Sequence, residues 1–345
     1  MKRGQDKLPR PRMPQEIRRL IAHSLHAMIL AAAAEHNIFD AVGNGGATAR
    51  QVRAKLRLDQ RGAEILLNAL AAMKILRKKG NHYTNTPLSR RYLVSDSPTS
   101  ILESLQNINN LYKTWSHLDQ VLRTGRQRGS PPWGRKSGMR RTAVFTRAMY
   151  NGGFEAAAAL PDTVDLSGRR RLLDIGGGPG LYSFNLCRRY TDLTATVLDL
   201  PTTIRETRKY LKKYGMGKRM RALAGDYKKG ELPRPFDAAL LSHIIHGMGE
   251  KGNRRLLNKV YRCLEPGGIL ILRDFLLNPG KTSPANAAVF AVNMLVNTEN
   301  GRTYTFGEVG RWLSDAGFRK IKRVGRPSAS GKDNASVITA LKPGA

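Results

Sequence analysis

The run Leu172-Leu173-Asp174-Ile175, followed at once by Gly176-Gly177-Gly178-Pro179-Gly180, leaves this chain few folds to choose from. The mostly apolar run reads as a buried parallel strand, and a segment with helical spacing, Leu181 to Arg189, begins directly after the glycines. Strand, glycine turn and helix in that order form a ligand-binding unit. Glycines let the backbone approach a ligand without a Cβ in the way, and the free N–H groups of the helix start face electron-rich atoms. A second strand-like run, Thr194 to Leu198, ends in Asp199, at the separation where an acid on the neighbouring strand reaches a ribose hydroxyl pair. The pattern Gly-x-Gly-x-Gly behind Asp174 departs from the dinucleotide fingerprint Gly-x-Gly-x-x-Gly and suits a ligand without a pyrophosphate.

From Arg169 onward strands and helices alternate. Leu172–Ile175, Thr194–Leu198, Met220–Ala224, Phe236–Leu241, Ile269–Arg273, Lys320–Val324 and Ser336–Leu341 read as strands, with helical runs between most of them. This predicts an α/β fold with a Rossmann-like doubly wound sheet, whose ligands sit beyond the carboxyl ends of the strands. Asp174, Asp199, Asp226, His246 and Asp274 fall at or just after such ends, which makes them candidates for one site.

Upstream the pattern is helical. Ile17, Leu20, Ile21, Leu25, Met28, Ile29 and Ala32 recur at helical spacing over Pro14 to His36, with more apolar surface than one core-facing side uses, which points to packing against a second subunit. Thr48–Leu56, Gln60–Met73 and a hairpin over Ile75–Thr86, turning at Lys79-Gly80-Asn81, make a winged-helix pattern. Gly62 and Ala63 are expected to allow close helix packing. Arg50, Arg53, Lys55, Arg57 and Arg61 keep a DNA-binding reading open beside a dimerisation module. The expected division is an N-terminal winged-helix-like domain over residues 1–100, with 1–13 a disordered basic arm, then a helical connector and catalytic domain over 101–345 whose core starts near 168. Gly125 to Gly138, with Pro131, Pro132 and Trp133, reads as a surface loop.

Charge and cysteine content bound the function. With 59 Lys and Arg against 26 Asp and Glu, the net charge is +33, so the chain attracts polyanions or an anionic membrane surface. The basic groups are spread out and lack the interleaved aromatics that stack bases, which argues against nucleic acid as substrate. Cys187 and Cys263 cannot form a disulfide framework, and a cytoplasmic location is expected. The most apolar early run, Leu20 to Ala34, is too short and too polar to span a bilayer.

Beyond the glycine turn, Val197-Leu198-Asp199-Leu200-Pro201, Gly225-Asp226-Tyr227, Ile244-Ile245-His246, Glu265-Pro266-Gly267-Gly268 and Gly301-Arg302-Thr303 follow in order. With that set the chain resembles the class I S-adenosylmethionine (SAM) methyltransferases, and specifically the two-domain O-methyltransferases of small molecules with an N-terminal winged-helix dimerisation domain. The resemblance implies SAM as cofactor, a homodimer, and an acceptor hydroxyl on a cyclic, aromatic or lipophilic small molecule. It implies cofactor contacts from Asp174, Gly176, Gly177, Gly178, Gly225, Ser242 and His243, with Asp199 on the ribose, Asp226 beside Tyr227 at the adenine amino group, and Leu200 over the adenine. His246 stands where the family has its catalytic base and Asp274 where it has an orienting acid. The second acid is replaced by Gly301, with Glu299 the expected substitute, and Gly247-Met248 stand where Asp-Trp is usual. Phe145, Met149, Met294 and Asn297 are expected to line the acceptor pocket. His243 and His246 at three-residue spacing lack an evident third ligand, and no metal is expected. The alternatives are carbon or nitrogen methylation of a tetrapyrrole or quinone-like ring, with His246 only positioning the acceptor, and a basic winged-helix nucleic-acid binder with a SAM-sensing domain.

Overall fold

A computed structural model of the chain describes residues 13–128, 138–325 and 335–344. The basic arm expected over 1–13 lies, apart from Met13, outside the described residues, as do Pro131, Pro132 and Trp133. The chain divides into two compact units, Met1–Asn109 and Asn110–Ala345.

The first unit opens with α1 (Gln15–Glu35) and α2 (Ile38–Val42), then β1 (Ala47–Thr48), α3 (Ala49–Leu56), α4 (Gln60–Ala72), β2 (Leu76–Lys79), β3 (His82–Asn85) and α5 (Pro87–Tyr92). Local chemistry sets these starts. Thr48 accepts from the Gln51 N–H while the Gln51 side chain reaches back to Thr48, and Asp59 accepts from the Gly62 N–H at 2.8 Å. Gly62 meets only this cap, so the expected close packing falls to Ala63, which is 1% exposed. β2 and β3 form the expected hairpin, and β1 joins on the other side of β3 in an antiparallel sheet. Phe39, Leu67, Leu70 and Tyr83 centre the core of this unit. On α1 the apolar residues Ile17, Leu20, Ile21, Leu25 and Met28 are exposed, Leu20 by 72%.

The division falls within α6 (Leu102–Trp115), and α7 (Leu118–Thr124) and α8 (Met139–Ala159) follow. Then come β4 (Arg171–Ile175), α9 (Leu181–Arg189), β5 (Thr194–Asp199), α10 (Pro201–Tyr214), β6 (Met220–Ala224), β7 (Phe236–Ser242), α11 (Glu250–Cys263) and β8 (Leu264–Asp274). The chain closes with β9 (Leu276–Leu277), α12 (Ala285–Asn297), β10 (Tyr304–Thr305), α13 (Phe306–Asp315), β11 (Arg319–Val324) and β12 (Ser336–Leu341). The large sheet has the order β11-β12-β8-β7-β4-β5-β6. Its strands β8 to β6 are parallel, and β12 pairs antiparallel with β8.

Both faces of the central strands β4, β5, β7 and β8 are covered, which is why these read as apolar runs rather than as alternating ones. Leu173, Leu241 and Leu272 enter one core with α11 and α13, whereas their neighbours Leu172, Leu240 and Ile271 enter another with α9 and α10. The chain starts at β4, runs out through β5 to β6, and returns to the other side at β7. The crevice at that reversal, beyond the carboxyl ends of β4 and β7, is where a ligand of such a sheet sits.

Candidate active site

The turn after β4 is held from below and from the side. Asp174 is 1% exposed beneath it, and a Cβ on Gly177 would meet the Asp174 Cγ at 2.5 Å, so only glycine fits. Asp174 Oδ2 accepts from the Ser183 hydroxyl at 2.6 Å. Asp199, ending β5, accepts from the Gly178 N–H at 2.9 Å and the Leu200 N–H at 2.7 Å. The Gly176 N–H donates to the Leu198 carbonyl at 2.7 Å, and the Gly225 N–H to the Asp199 carbonyl at 2.9 Å. Asp226 accepts from the Lys228 N–H at 3.0 Å beside the partly buried Tyr227. The sequence-predicted cofactor residues thus stand at the ends of β4, β5 and β6 and, for Ser242 and His243, of β7.

This cradle is short of positive charge and of donors. Burial drives the Asp174 carboxyl up to about 7, with the Ser183 hydroxyl opposing and the Asp199 charge adding. Burial also raises Asp199, against the N–H groups of Gly178 and Leu200. Asp174 Oδ1 and Ser242 Oγ are buried with no hydrogen-bond partner among the described residues. Unpaired buried oxygens of this kind are costly, and a cationic ligand carrying hydroxyl or ammonium donors satisfies them.

His246 lies across the crevice on a 3-10 turn over Ile245–Gly247 that follows β7. Asn253 on α11 fixes that turn by donating to the Ile245 carbonyl at 2.9 Å and the Met248 carbonyl at 3.2 Å, and the Tyr304 hydroxyl reaches the same Met248 carbonyl at 2.5 Å. Asp274, ending β8 and 1% exposed, accepts from His246 Nδ1 at 2.7 Å, from the His246 N–H at 3.3 Å and from the Phe275 N–H at 2.8 Å. Burial alone would raise this carboxyl, but the charge and hydrogen bond of His246, the charge of His243 and the Phe275 N–H together hold it below the usual carboxylate range. An ionised carboxylate only accepts, so His246 Nδ1 is the donor of this bond and Nε2 is the ring nitrogen turned away from Asp274.

Around this pair the details differ from the sequence reading. Glu299 is exposed and makes no hydrogen bond or ion pair among the described residues, so Asp274 is the acid paired with His246. A Cβ on Gly301 would run into the His246 carbonyl oxygen, which leaves no room for an acid at that position. Met248 is buried in the core, and the rings beside the histidines come instead from Phe290 on α12, 4.9 Å from His246, and Phe275, 4.7 Å from His243. Asn297 donates back to Asn293 on its own helix, Met294 is 6% exposed, Phe145 is half-buried, and Met149 is 43% exposed.

A third metal-ligand candidate beside the two histidines is Asp274, with donor atoms of all three within 4.8 Å. Asp274 is already hydrogen-bonded to His246 Nδ1, and the Arg273 guanidinium, which lies against His243 Nε2, adds a positive charge beside the cluster. Asn253 and Phe290 are the residues that the sequence reading missed. Asn253 had a signal, since it precedes Leu256 and Leu257 by three and four residues on the apolar stripe of α11, where a polar side chain needs partners.

Residues 115–319 match the family model of the O-methyltransferase domain, and residues 19–95 that of the O-methyltransferase dimerisation domain. The chain is 33% identical to 3-hydroxy-5-methyl-1-naphthoate 3-O-methyltransferase of Streptomyces sahachiroi over 88% of its own length and 89% of that enzyme. Among solved structures it resembles human N-acetylserotonin methyltransferase in complex with SAM, at a TM-score of 0.81 and 26% identity, covering 96% of this chain and 99% of that one. It also resembles PigF with SAH, at a TM-score of 0.86 and 25% identity, covering 96% and 100%.

Proposed function

The chain belongs to the O-methyltransferase family, SAM-dependent enzymes, and from that premise we propose that it methylates a hydroxyl of an aromatic small molecule with His246 as general base. The observation that carries the base assignment is the 2.7 Å hydrogen bond from His246 Nδ1 to the buried carboxylate of Asp274 at the crevice. Bound SAM supplies an electrophilic methyl on a sulfonium. The residues align the acceptor and take its proton: His246 Nε2 accepts the hydroxyl proton as the oxygen takes the methyl, and Asp274 stabilises the resulting imidazolium. Asp199 takes the ribose hydroxyls, while Asp174 Oδ1 and Ser242 Oγ accept from the cationic methionine end. Asp226, Tyr227 and Leu200 border the adenine, and Gly176, Gly177, Gly178, Gly225 and His243 shape the backbone around it. The acceptor lies among Phe290, Met294 and the α8 residues Phe145 and Met149. The Streptomyces relative acts on a hydroxylated naphthoate, and a hydroxylated aromatic ring of that size is the acceptor class assigned to this chain.

The exposed apolar face of α1 lies mostly within the span matched by the dimerisation domain, and we assign it to a homodimer contact. No described helix is long and apolar enough to cross a membrane. Cys187 and Cys263 are buried free thiols, which supports a cytoplasmic location. Calorimetric titration of nuclease-treated protein tests the reading: SAM and S-adenosylhomocysteine should bind one per chain, and labelled methyl should then pass to hydroxynaphthoates or other phenols. Folded protein that binds neither ligand rules it out.

A further inference from the structure

The opposite edge of the large sheet has a different chemistry. A cavity of about 500 Å³ opens where β4, β5, β6 and β7 begin, lined by Arg171, Lys218, Arg219, Arg221 and Arg234 and, among the described residues, by no acidic one. The strands separate it from Asp199 and Ser242 by their own length, roughly 16–23 Å at about 3.3 Å per residue. Little inside the fold neutralises these cations. Arg171 pairs with Glu265 at 2.6 Å, its backbone N–H donates to the Asp237 carboxylate at 2.8 Å, and the Arg234 charge reaches Glu231, which is itself paired with Arg262. Arg219 donates to the carbonyls of Cys187 at 2.6 Å and Thr191 at 3.0 Å, and Arg221 Nε donates to the Thr196 hydroxyl at 2.8 Å. Lys218 and Arg234 make no hydrogen bond or ion pair among the described residues.

We propose that this cleft is a binding site for an anion carrying a chain of phosphate groups. Converging cations repel one another unless an anion lies among them. Arg219 spends Nη1 on the carbonyls of Cys187, Tyr190 and Thr191 and Nη2 on Met216 Sδ, so it adds charge rather than a free donor pair, whereas Arg221 is held through Nε and presents its Nη groups to a pair of phosphate oxygens. The volume suits a nucleotide-sized ligand. The lining aromatic, Phe236, is 5% exposed and offers no face for a base to stack on. Recognition therefore rests on the phosphates, and a nucleoside triphosphate and inorganic triphosphate bind alike.

The test is calorimetry on the nuclease-treated full chain at physiological salt, with sodium triphosphate, ATP and a short single-stranded DNA as probes. The expected result is one triphosphate per chain, ATP affinity within about threefold of it, and a loss of at least 30-fold in Lys218→Ala/Arg221→Ala/Arg234→Ala. SAM affinity and thermal melting should stay unchanged. Lys218→Ala/Arg234→Ala, which leaves the Arg221–Thr196 contact intact, should lose about 10-fold and guards against misfolding of the triple variant. Triphosphate affinity within threefold of wild type in both variants would overturn the proposal, as would binding of DNA without binding of triphosphate, or of ATP alone, which would place ATP in the SAM crevice.

Discussion

The two walls of the crevice were built in different ways. The cofactor wall is local: Asp174, the glycine turn, Ser183 and Asp199 lie within a single strand-helix-strand unit, and hydrogen bonds of 2.6–2.9 Å tie them to one another. The histidine wall is assembled from four separated segments, the turn after β7, the end of β8, α11 and α12. Its central pair, His246 and Asp274, is 28 residues apart. A local wall is fixed by turn geometry and changes little without losing the ligand, whereas an assembled wall can exchange members. Here the rings beside His246 and His243 come from Phe290 and Phe275, and Asp274 is the acid that His246 meets.

The contrast predicts separable losses. Asp199→Ala should weaken SAM binding at least about 100-fold by calorimetry, since hydrogen bonds to a charged acceptor contribute about 1.5–3 kcal/mol each and two hydroxyls use this one. A loss below tenfold would mean that the cofactor wall does not depend on Asp199. Asp274→Asn should leave SAM affinity alone and lower kcat about 10- to 100-fold, because the neutral amide no longer stabilises imidazolium. Equal loss in binding and turnover would merge the two walls into one structural unit.

A smaller effect follows from Asp174. Its carboxyl titrates at about 7 in the folded chain against 3.8 ordinarily, so the folded state holds an extra proton between those values. Its contribution to stability is full below about 4 and is lost as pH rises through about 7. The melting temperature of the ligand-free enzyme should fall from pH 5 to pH 8 by more than that of Asp174→Asn, and saturating SAM should narrow the difference. Parallel curves would show that Asp174 is not the titrating group. Smallest of all, Glu299→Ala should change kcat by less than twofold, and a larger fall would restore a second acid to the histidine wall.

The same contrast explains what could be read in advance. The central strands of the large sheet were legible because both of their faces are buried and the runs are continuous, the exposed edge strands β6 and β11 were legible from the alternation with helices, and the helix after the glycine turn was legible to the residue, Leu181–Arg189. Thr48, expected as an N-cap, is one. The partners of His246 were harder. Glu299 sits two residues from Gly301, yet proximity in sequence says nothing of direction, and its side chain ends in solvent. Asn253 and Phe290 meet the histidine turn only through the packing of α11 and α12, which no short motif encodes. The arginines at the other sheet edge were visible one by one as part of a dispersed excess of charge. Their convergence is a consequence of strand register, since each stands next to the start of a parallel strand.

The most direct test of the account is transfer of labelled methyl from SAM to a hydroxynaphthoate, measured for wild type and His246→Ala with S-adenosylhomocysteine affinity in parallel. Label on oxygen, a fall in kcat of about 10²–10⁴ in the variant and unchanged cofactor affinity are expected. Activity within threefold of wild type, or label recovered on carbon, would contradict it.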